Sequence, residues 1–268
     1  MGFFNHLFLK SHLSNKNAFI WNSKKKTFIS IIKIQSIDLD LIIGIDRQKK
    51  LLLNNTKKFS IGNLTNNALL WGVRGNGKST LIKSVFILLS KINKKLKLIQ
   101  LNKNDIFDIE EIYSLLEKFP KFRFIIFIDD LSFEKIDSEY KIIKSTLDGS
   151  IQSQPSNIVL YVTSNRRHLM PREMIDNERS SAIHTDESVE EKISLSDRFG
   201  LWIGFHNLDQ NTYLEIIKTY CNNYQIPYDE NIKLEGIQWS IQRGNRTGRT
   251  AWQFIIHIAA KNDLKLKF

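Results

Sequence analysis

The chain has little cysteine, proline or glycine. Its 268 residues include one cysteine, Cys221, four prolines and twelve glycines. A single cysteine excludes a disulfide framework within the chain and a cysteine-rich zinc site, and it fits a protein of the reducing cytoplasm. No uncharged apolar run reaches the roughly 18 residues that a membrane-spanning helix requires, so we expect no membrane partner.

The sequence also lacks the residue patterns of a histidine metal site and of a serine nucleophile. The six histidines show no metal-ligand spacing. No serine lies in a nucleophile elbow, which excludes a hydrolase of that type. Cys221 lies in an amphipathic segment, where a thiol is more often a packing residue than a nucleophile.

Basic residues outnumber acidic ones, and the formal net charge is +11. Such an excess reflects either nucleic-acid binding or a compositional bias in which isoleucine, lysine and asparagine are abundant along the whole chain. The lysines are dispersed apart from residues 24–26 and 91–97, and no basic patch with interleaved aromatic residues is evident. We therefore favour the compositional bias and keep nucleic-acid binding as the alternative.

A glycine-rich run, GVRGNGKST, occupies residues 72–80 and is the most informative motif of the chain. It fits the phosphate-binding pattern of glycine, any four residues, glycine, lysine and serine or threonine. The apolar residues 68–71 before it predict a short buried strand, and the apolar spacing from Ser79 to Leu89 predicts a helix. This context favours a phosphate-binding loop over an ordinary glycine-rich turn before a helix.

The residue types in this loop suit the phosphates of a nucleotide such as ATP. Backbone N–H groups must surround the phosphates, and glycine keeps the loop open for them. The helix that follows adds the positive end of its dipole. We expect Lys78 to reach the β- and γ-phosphates and the Ser79 hydroxyl to ligate Mg²⁺. The expected nucleotide-binding residues of the loop are Gly72, Val73, Arg74, Gly75, Asn76, Gly77, Lys78, Ser79 and Thr80.

Two adjacent carboxylates follow the apolar run at residues 124–128. A continuous apolar run is typical of a strand buried on both faces of a parallel sheet, and its carboxyl end lies where ligands bind. We expect Asp129 to hold Mg²⁺ and Asp130 to polarise the attacking water; the alternative is a strand that ends in a polar turn. Many ATPases have glutamate at the second position, so the shorter Asp130 predicts slower turnover.

Strands that alternate with helices predict an α/β fold with a parallel sheet. The polar, acid-rich residues 166–196 predict a long surface loop. The expected strands are 68–71, 95–101, 124–128, 157–162 and 201–205, and helical patterns lie at 46–56, 106–119, 139–147, 209–220, 234–242 and 248–260. The expected units are an N-terminal segment of unknown role at 1–37, a nucleotide-binding α/β core at 38–206 and an α-helical lid at 207–268.

The order of these motifs resembles that of the AAA+ ATPases, which have a P-loop core with a five-stranded parallel sheet flanked by helices and a small C-terminal helical lid. The sequence is most similar to a bacterial group of AAA+ proteins labelled DUF815. The resemblance covers roughly Ile42 to the C-terminus and leaves the first forty or so residues outside it or weakly within it. It is carried by FIIFIDDLSFE (124–134), YVTSNRRHLMP (161–171), EKISLSDRFGLWIGFH (191–206) and TGRTAWQFI (247–255).

The resemblance implies roles for three further residues. Asn165, at the end of a strand, would hydrogen-bond the attacking water or the γ-phosphate; the alternative is a turn cap. Arg198 would be an arginine finger that reaches the nucleotide of a neighbouring subunit, the alternative being a surface salt bridge with Asp197. Arg249 would be the lid arginine, with Arg246 as a nearby competitor.

Two further groups near these motifs are less specific. Arg166, Arg167 and His168 could contact phosphate, a neighbouring subunit, or the acidic loop that follows them. Gly44 and Ile45 resemble the AAA+ segment that packs beside the adenine, although such a pair is more often core packing.

The predicted function is hydrolysis of ATP with Mg²⁺ by an oligomer, such as a hexameric ring or a spiral. A finger that acts on the neighbouring subunit requires such self-assembly, and the output would be work on an unknown protein or nucleic-acid client. One alternative is a nucleotide-binding scaffold or switch with negligible hydrolysis. Another is a DNA-associated, loader-like ATPase, which the net charge favours and the absence of a recognisable helix-turn-helix after the lid disfavours. A small-molecule kinase would need neither Arg198 nor a lid of this kind.

Overall fold

The structure is a computed structural model that describes residues 3–133, 138–148, 154–167, 169 and 195–266. His168 and most of the loop predicted at 166–196 lie outside these residues. The helices are α1 (Phe3–Asn15), α2 (Asp46–Ser60), α3 (Lys78–Ile92), α4 (Ile109–Glu117), α5 (Ser138–Asp148), α6 (Gln210–Asn223), α7 (Glu230–Gln242) and α8 (Gly248–Lys261). The strands are β1 (Ala18–Asn22), β2 (Thr27–Ser30), β3 (Ala68–Gly72), β4 (Leu96–Leu101), β5 (Arg123–Ile128), β6 (Ile158–Ser164) and β7 (Leu201–Phe205).

Within the described residues, seven strands form one sheet in the order β2-β1-β4-β5-β6-β3-β7. The strands from β1 to β7 in that order run parallel, and only β2 pairs antiparallel, with β1. The α/β fold with a parallel-dominated sheet is thereby confirmed. Because β3, β5 and β6 are near neighbours in the sheet, the motifs that follow them meet at one edge.

The expected count of five strands is wrong by two. The N-terminal segment supplies both extra strands, since Ala18 to Ile20 pair in register with Leu98 to Gln100 of β4. These strands are short and carry no motif, and they gain a buried face only by lying beside β4. A carboxylate anchors them, because Asp108 accepts hydrogen bonds from Trp21 Nε1 at 2.7 Å and from Ser23 Oγ at 2.5 Å.

Apolar side chains cover both faces of the sheet. In β5, Phe124, Ile126 and Ile128 belong to the cluster on one face, while Ile125 and Phe127 belong to the cluster on the other. This strand is therefore buried on both faces of the sheet, as its uninterrupted apolar run predicts.

Helices α6, α7 and α8 share a third hydrophobic cluster. Each of them begins at a capping side chain that accepts a hydrogen bond from the first turn: Asp209 from Thr212, Asp229 from Ile232 and Thr247 from Thr250. The cap at Asp229 explains why α7 begins four residues before the predicted start at 234, since three of its first four residues are polar and Ile232 alone makes no apolar pattern. None of the helices in the described residues is long and apolar enough to cross a membrane.

Candidate functional site

The glycine loop joins β3 to α3 and adopts backbone angles that only glycine accepts readily. Gly72 has φ +121°, and a Cβ there would lie 2.0 Å from the carbonyl oxygen of Phe205 on β7. Gly75 has φ +85°, and a Cβ there would lie 3.0 Å from Thr247 Oγ1 and 3.2 Å from Arg249 Cβ. The loop is therefore held close both to β7 and to the start of α8, with no room for side chains at these positions.

Lys78 is the first residue of α3 and is 7% exposed. Its Nζ donates to the carbonyl oxygens of Gly72 at 2.7 Å and Val73 at 2.9 Å, and to Asn165 Oδ1 at 2.9 Å. Burial lowers the pKa of Lys78 to about 8, although the nearby carboxylates of Asp129 and Asp130 act in the opposite direction. The ammonium therefore lies in a place where negative charge from a ligand would stabilise its protonated form.

The carboxylate of Asp129, which follows β5, links the first turn of α3 to β6. Ser79 Oγ and Thr163 Oγ1 both donate to its Oδ1, each at 2.5 Å. Ser79 belongs to the first turn of α3, and Thr163 lies near the end of β6. Two hydroxyls and a carboxylate thus converge at the carboxyl ends of the strands, and oxygen donors of this kind suit Mg²⁺.

Asp130 has φ +55°, a left-handed conformation that is uncommon outside glycine, asparagine, aspartate and histidine. Its N–H donates to Thr163 Oγ1 at 2.8 Å, and its Oδ1 accepts from Asn165 Nδ2 at 2.5 Å. The guanidinium of Arg74 lies 3.9 Å from its Oδ2. Since Asn165 Oδ1 also accepts from Lys78, one hydrogen-bonded network runs from the loop through β6 to both carboxylates.

A cavity of about 550 Å³ adjoins this network. Its polar end is lined by the loop from Arg74 to Thr80 together with the two aspartates and Asn165. Its other end is lined by apolar residues from several elements: Ile42, Ile43 and Ile45, and Leu208, Ile216, Tyr220 and Trp252. One pocket thus combines a polar end with an apolar end, and a nucleotide has the same division between its phosphates and its base.

Arg249 and Arg246 differ in position. Arg249 lines the cavity, and its backbone N–H donates to the Gly75 carbonyl at 3.0 Å. Arg246 does not line the cavity, and its Nη2 lies 3.4 Å from Gln210 Oε1. Of the two candidates, only Arg249 therefore lines the cavity of its own chain.

Arg198 is not brought into the cavity of its own chain. It is partly exposed and lies three residues before β7. The other basic residues after Asn165 make internal contacts: Arg166 Nη1 donates to the Phe133 carbonyl at 3.1 Å, and the guanidinium of Arg167 stacks 5.3 Å from the ring of Trp71. The remaining expected contacts of the acidic loop fall outside the described residues.

Sequence reasoning missed several residues of the site, among them Thr163 and Trp252. Thr163 contacts both aspartates, and its only signal was a polar residue two places before Asn165, on the same side of the strand. Trp252 lines the apolar end, and its only signal was its place three residues after Arg249, which puts both on one face of α8. Neither residue belongs to a sequence motif that indicates a binding or catalytic role.

A family model described as "Protein of unknown function (DUF815)" matches residues 14–262. The chain belongs to the DUF815 family. The match begins before β1 and therefore includes most of the first forty residues, which we expected to lie outside the resemblance or only weakly within it. In retrospect the reason is structural, because β1 and β2 extend the same sheet.

The fold of the DUF815 protein is similar to that of several solved structures. The Holliday junction branch migration motor RuvB of Thermotoga maritima has a TM-score of 0.56 and 20% identity, over 85% of this chain and 66% of its own. The Aeropyrum pernix Orc1 protein, in complex with DNA, has a TM-score of 0.55 and 16% identity, over 82% of this chain and 61% of its own. Domain III of the Thermotoga maritima replication initiation protein DnaA has a TM-score of 0.53 and 12% identity, over 87% of this chain and 94% of its own.

The DUF815 protein thus spans about two thirds of the RuvB chain and slightly less of the Orc1 chain. At these identities the likeness establishes the fold alone. No curated protein sequence matches the chain.

The residues of the DUF815 protein fit a magnesium nucleotide. The loop has the two close backbone approaches at Gly72 and Gly75 that exclude side chains, and a buried lysine at its end. Ser79 and Asp129 present oxygen donors beside it. Within the described residues, no group of three or more His, Cys, Asp or Glu side chains is placed to hold a metal ion by itself.

Proposed function

We propose that this DUF815 protein hydrolyses ATP with Mg²⁺ at a subunit interface and uses the cycle to remodel or switch a macromolecular partner. The single observation that carries the proposal is the hydrogen-bonded network from Lys78 through Asn165 to Asp130. It joins a phosphate-binding loop to a carboxylate through one amide, as a site needs if it binds phosphate and orients water beside it.

Each member of the network has a role that its contacts support. Lys78 would leave the carbonyls of Gly72 and Val73 and donate to the phosphate oxygens, whose charge is more negative than a carbonyl dipole. Ser79 and Asp129 would hold Mg²⁺, which neutralises charge on the phosphates when bound. The Asp130 carboxylate would accept a hydrogen bond from the attacking water, with Asn165 fixing its orientation.

The apolar end of the cavity would take the base. Tyr220 of α6 and Trp252 of α8 meet edge to face there, with ring centroids 5.5 Å apart. Ile45 is buried at the same end, on the segment that we expected beside the adenine. Residues 207–268 would act as a lid, because Arg249 lines the cavity and its own N–H is bonded to the loop at Gly75.

Arg198 would complete the site of a neighbouring subunit. It is partly exposed and does not line the cavity of its own chain, so it contributes to hydrolysis only if it acts on another copy. A guanidinium in that role binds the charge that develops on the transferred phosphoryl group. Self-assembly, as a ring or a spiral, is therefore part of the proposal.

The test is the specific ATPase activity as a function of protein concentration. A shared site predicts that activity per molecule rises with concentration and then reaches a plateau as the oligomer forms. Arg198→Ala should bind ATP normally and remain at the low activity of the dilute wild type. Activity per molecule that is independent of concentration and of Arg198 would refute the shared site.

A scaffold with negligible hydrolysis is the second candidate. It is favoured by Asp130, whose carboxylate is one methylene shorter than glutamate and is already engaged by Asn165 and Arg74. Single-turnover hydrolysis by the assembled protein separates the two. A wild type that binds ATP but turns over no faster than Lys78→Ala at any concentration would support the scaffold.

A further inference from the structure

The amino ends of the parallel strands carry a set of cations that the folded chain gathers from distant turns. They lie opposite the nucleotide site, which occupies the carboxyl ends. The basic face is defined here by its exposed lysines and one partly exposed arginine: Lys16 before β1, Lys57 and Lys58 at the end of α2, Lys91, Lys94 and Lys95 before β4, and Lys118, Lys121 and Arg123 at the start of β5.

Hydrogen bonds between the turns hold the basic face together. Arg123 donates from Nη2 to the Gly62 carbonyl at 3.3 Å and from Nη1 to the Ser156 carbonyl at 2.9 Å. Its backbone N–H donates to the Lys95 carbonyl at 3.0 Å. The turn before β4 is joined to the end of α2 by Asn93 Nδ2, which donates to the Ser60 carbonyl at 2.5 Å. The lysines therefore stand on one cross-linked surface.

The charge of this surface is almost entirely of one sign. The segments 14–17, 54–67, 88–97, 116–123 and 154–157 contain a single carboxylate, Glu117, although the whole chain has 28 acidic residues. Beneath this surface Lys97 is buried and donates to the Lys16 carbonyl at 2.8 Å, and its pKa is lowered to about 8 by burial and, secondarily, by Lys94. A compositional bias explains many lysines, but it does not explain why carboxylates are so scarce on this face.

We propose that the basic face binds the backbone phosphates of duplex nucleic acid without reading its sequence. Strands β1, β4, β5, β6 and β3 take consecutive places in the sheet, so the face is about 19 Å wide at roughly 4.8 Å per strand. A duplex offers one phosphate charge per about 1.7 Å of its axis, so several phosphates meet a face of this width. The exposed amides of Asn54, Asn63 and Asn66 add donors suited to phosphate oxygens.

The residues of these segments disfavour two other polyanions, which are single-stranded nucleic acid and an anionic membrane. Single strands are held largely by stacking on aromatic rings, and the exposed large apolar residues of these segments are aliphatic: Ile61, Leu64, Leu88 and Ile92. An anionic membrane would have to bury the exposed asparagine amides at its boundary, where they lose hydrogen bonds to water. The membrane surface is accordingly an outcome of the test rather than the proposal.

The inference goes beyond the proposed ATPase and does not depend on it. No residue of the basic face lines the cavity or belongs to the network around Lys78. Lys78→Ala should therefore bind a duplex as the wild type does in the absence of nucleotide. Failure of hydrolysis and failure of duplex binding are thus separate results.

The experiment measures the affinity of the full chain for a fluorescent duplex of mixed sequence over a range of salt from about 0.05 to 0.2 M. The variant replaces Lys57, Lys58, Lys94 and Lys95 by Gln. The slope of log affinity against log salt should become shallower by about three to four, and affinity at 0.1 M salt should fall about 100-fold or more. Replacing the same four lysines by Arg should keep both values near those of the wild type.

The matched control replaces Lys24, Lys25, Lys218 and Lys265 by Gln. These lysines are exposed and lie outside the basic face, and the variant has the same net charge as the test variant. It should keep the slope of the wild type. Equal losses in both variants would overturn the proposal, since binding would then follow net charge alone.

Three other results would also overturn it: no duplex binding by the wild type at the lowest salt, tighter binding of a single strand than of the duplex, or binding of phosphatidylglycerol vesicles without binding of the duplex. Circular dichroism of both variants checks that they fold. A test variant that fails to fold is replaced by the pair Lys94→Gln and Lys95→Gln, for which the slope should change by about two.

Discussion

The carboxyl ends and the amino ends of the parallel strands differ in how their polar side chains are held. At the carboxyl ends, Lys78, Asp130 and Asn165 are bonded to one another in a network with defined donors and acceptors. At the amino ends, the lysines point to solvent, and only the backbone beneath them is cross-linked. Chemistry on a phosphate needs fixed geometry, whereas attraction to a row of phosphates needs only charge of one sign.

The largest expected effect distinguishes the nucleotide site at the carboxyl ends of the strands from the basic face at their amino ends. Lys78→Ala removes the ammonium at the loop, and we expect ATP hydrolysis to fall about 10³-fold because charge stabilisation of the phosphoryl group is lost. Duplex binding without nucleotide should not change. The four-lysine Gln variant of the basic face should show the reverse pattern, with wild-type hydrolysis and weak duplex binding. Both activities are measured on the same preparations.

The independence of hydrolysis and duplex binding would be contradicted if either variant lost both activities while circular dichroism showed that it is folded. The two edges would then act as one site.

Asp130→Asn tests the chemistry within the carboxyl edge. The amide keeps the size of the side chain but cannot accept a proton, so we expect hydrolysis to fall about 100-fold. ATP affinity should stay within about threefold of the wild type. Asp130→Glu keeps a carboxylate and should hydrolyse ATP within about tenfold of the wild-type rate. Equal rates for Asp130→Asn and wild type, measured by phosphate release, would remove Asp130 from the proposed chemistry.

The pKa of Lys78 predicts a pH dependence of ATP binding. In the free protein burial lowers this pKa to about 8, and bound phosphates would raise it, so binding takes up a proton above that pH. ATP affinity should be constant below about pH 7.5 and should fall about tenfold per pH unit from about 8 to 10. Calorimetric titration in buffers of different ionisation enthalpy detects the proton directly.

Lys78→Arg is the control for this pH dependence, because a guanidinium stays protonated over the whole range. Its affinity should be flat with pH, whatever its absolute value. A wild type that is equally flat to pH 10 would contradict the lowered pKa.

The smallest expected effect lies at the apolar end of the cavity. Trp252→Ala removes a ring that lines the apolar end of the cavity, and loss of one ring contact with the base, worth about 0.5–1.5 kcal/mol, predicts ATP binding that is about threefold to tenfold weaker. Trp252→Phe keeps a ring and should bind nearly as the wild type does. An unchanged affinity of Trp252→Ala in a titration with ATP would place the base elsewhere.

How much the sequence predicts differs between the two edges for a physical reason. The loop at 72–80 and the aspartates at 129–130 are contiguous motifs, because a tight turn or a strand end brings successive residues to one ligand. Thr163 was missed because its role depends on the sheet placing β6 between β5 and β3. The strands of the N-terminal segment were missed because they acquire a buried face only beside β4.

The basic face lies beyond sequence patterns for a related reason. Its lysines come from turns that are about 30 residues apart in the chain, and they look dispersed until the strands are aligned. The scarcity of carboxylates in those turns is visible only when the segments are compared as a group. The role of Arg198 remains a prediction from family resemblance, since the nucleotide that it would reach is bound to another copy of the chain.

A mixing experiment tests the central claim, a nucleotide site completed by a neighbouring subunit, most directly. Lys78→Ala subunits keep Arg198 but cannot use ATP, and Arg198→Ala subunits keep the loop but lack the arginine, so each alone should be about 10³-fold less active than the wild type. Mixed in equal amounts, they should recover a substantial fraction of wild-type ATPase activity, because some sites then combine an intact loop with an intact arginine. A mixture that stays as inactive as its components, although the two variants are shown to co-assemble, would contradict the account.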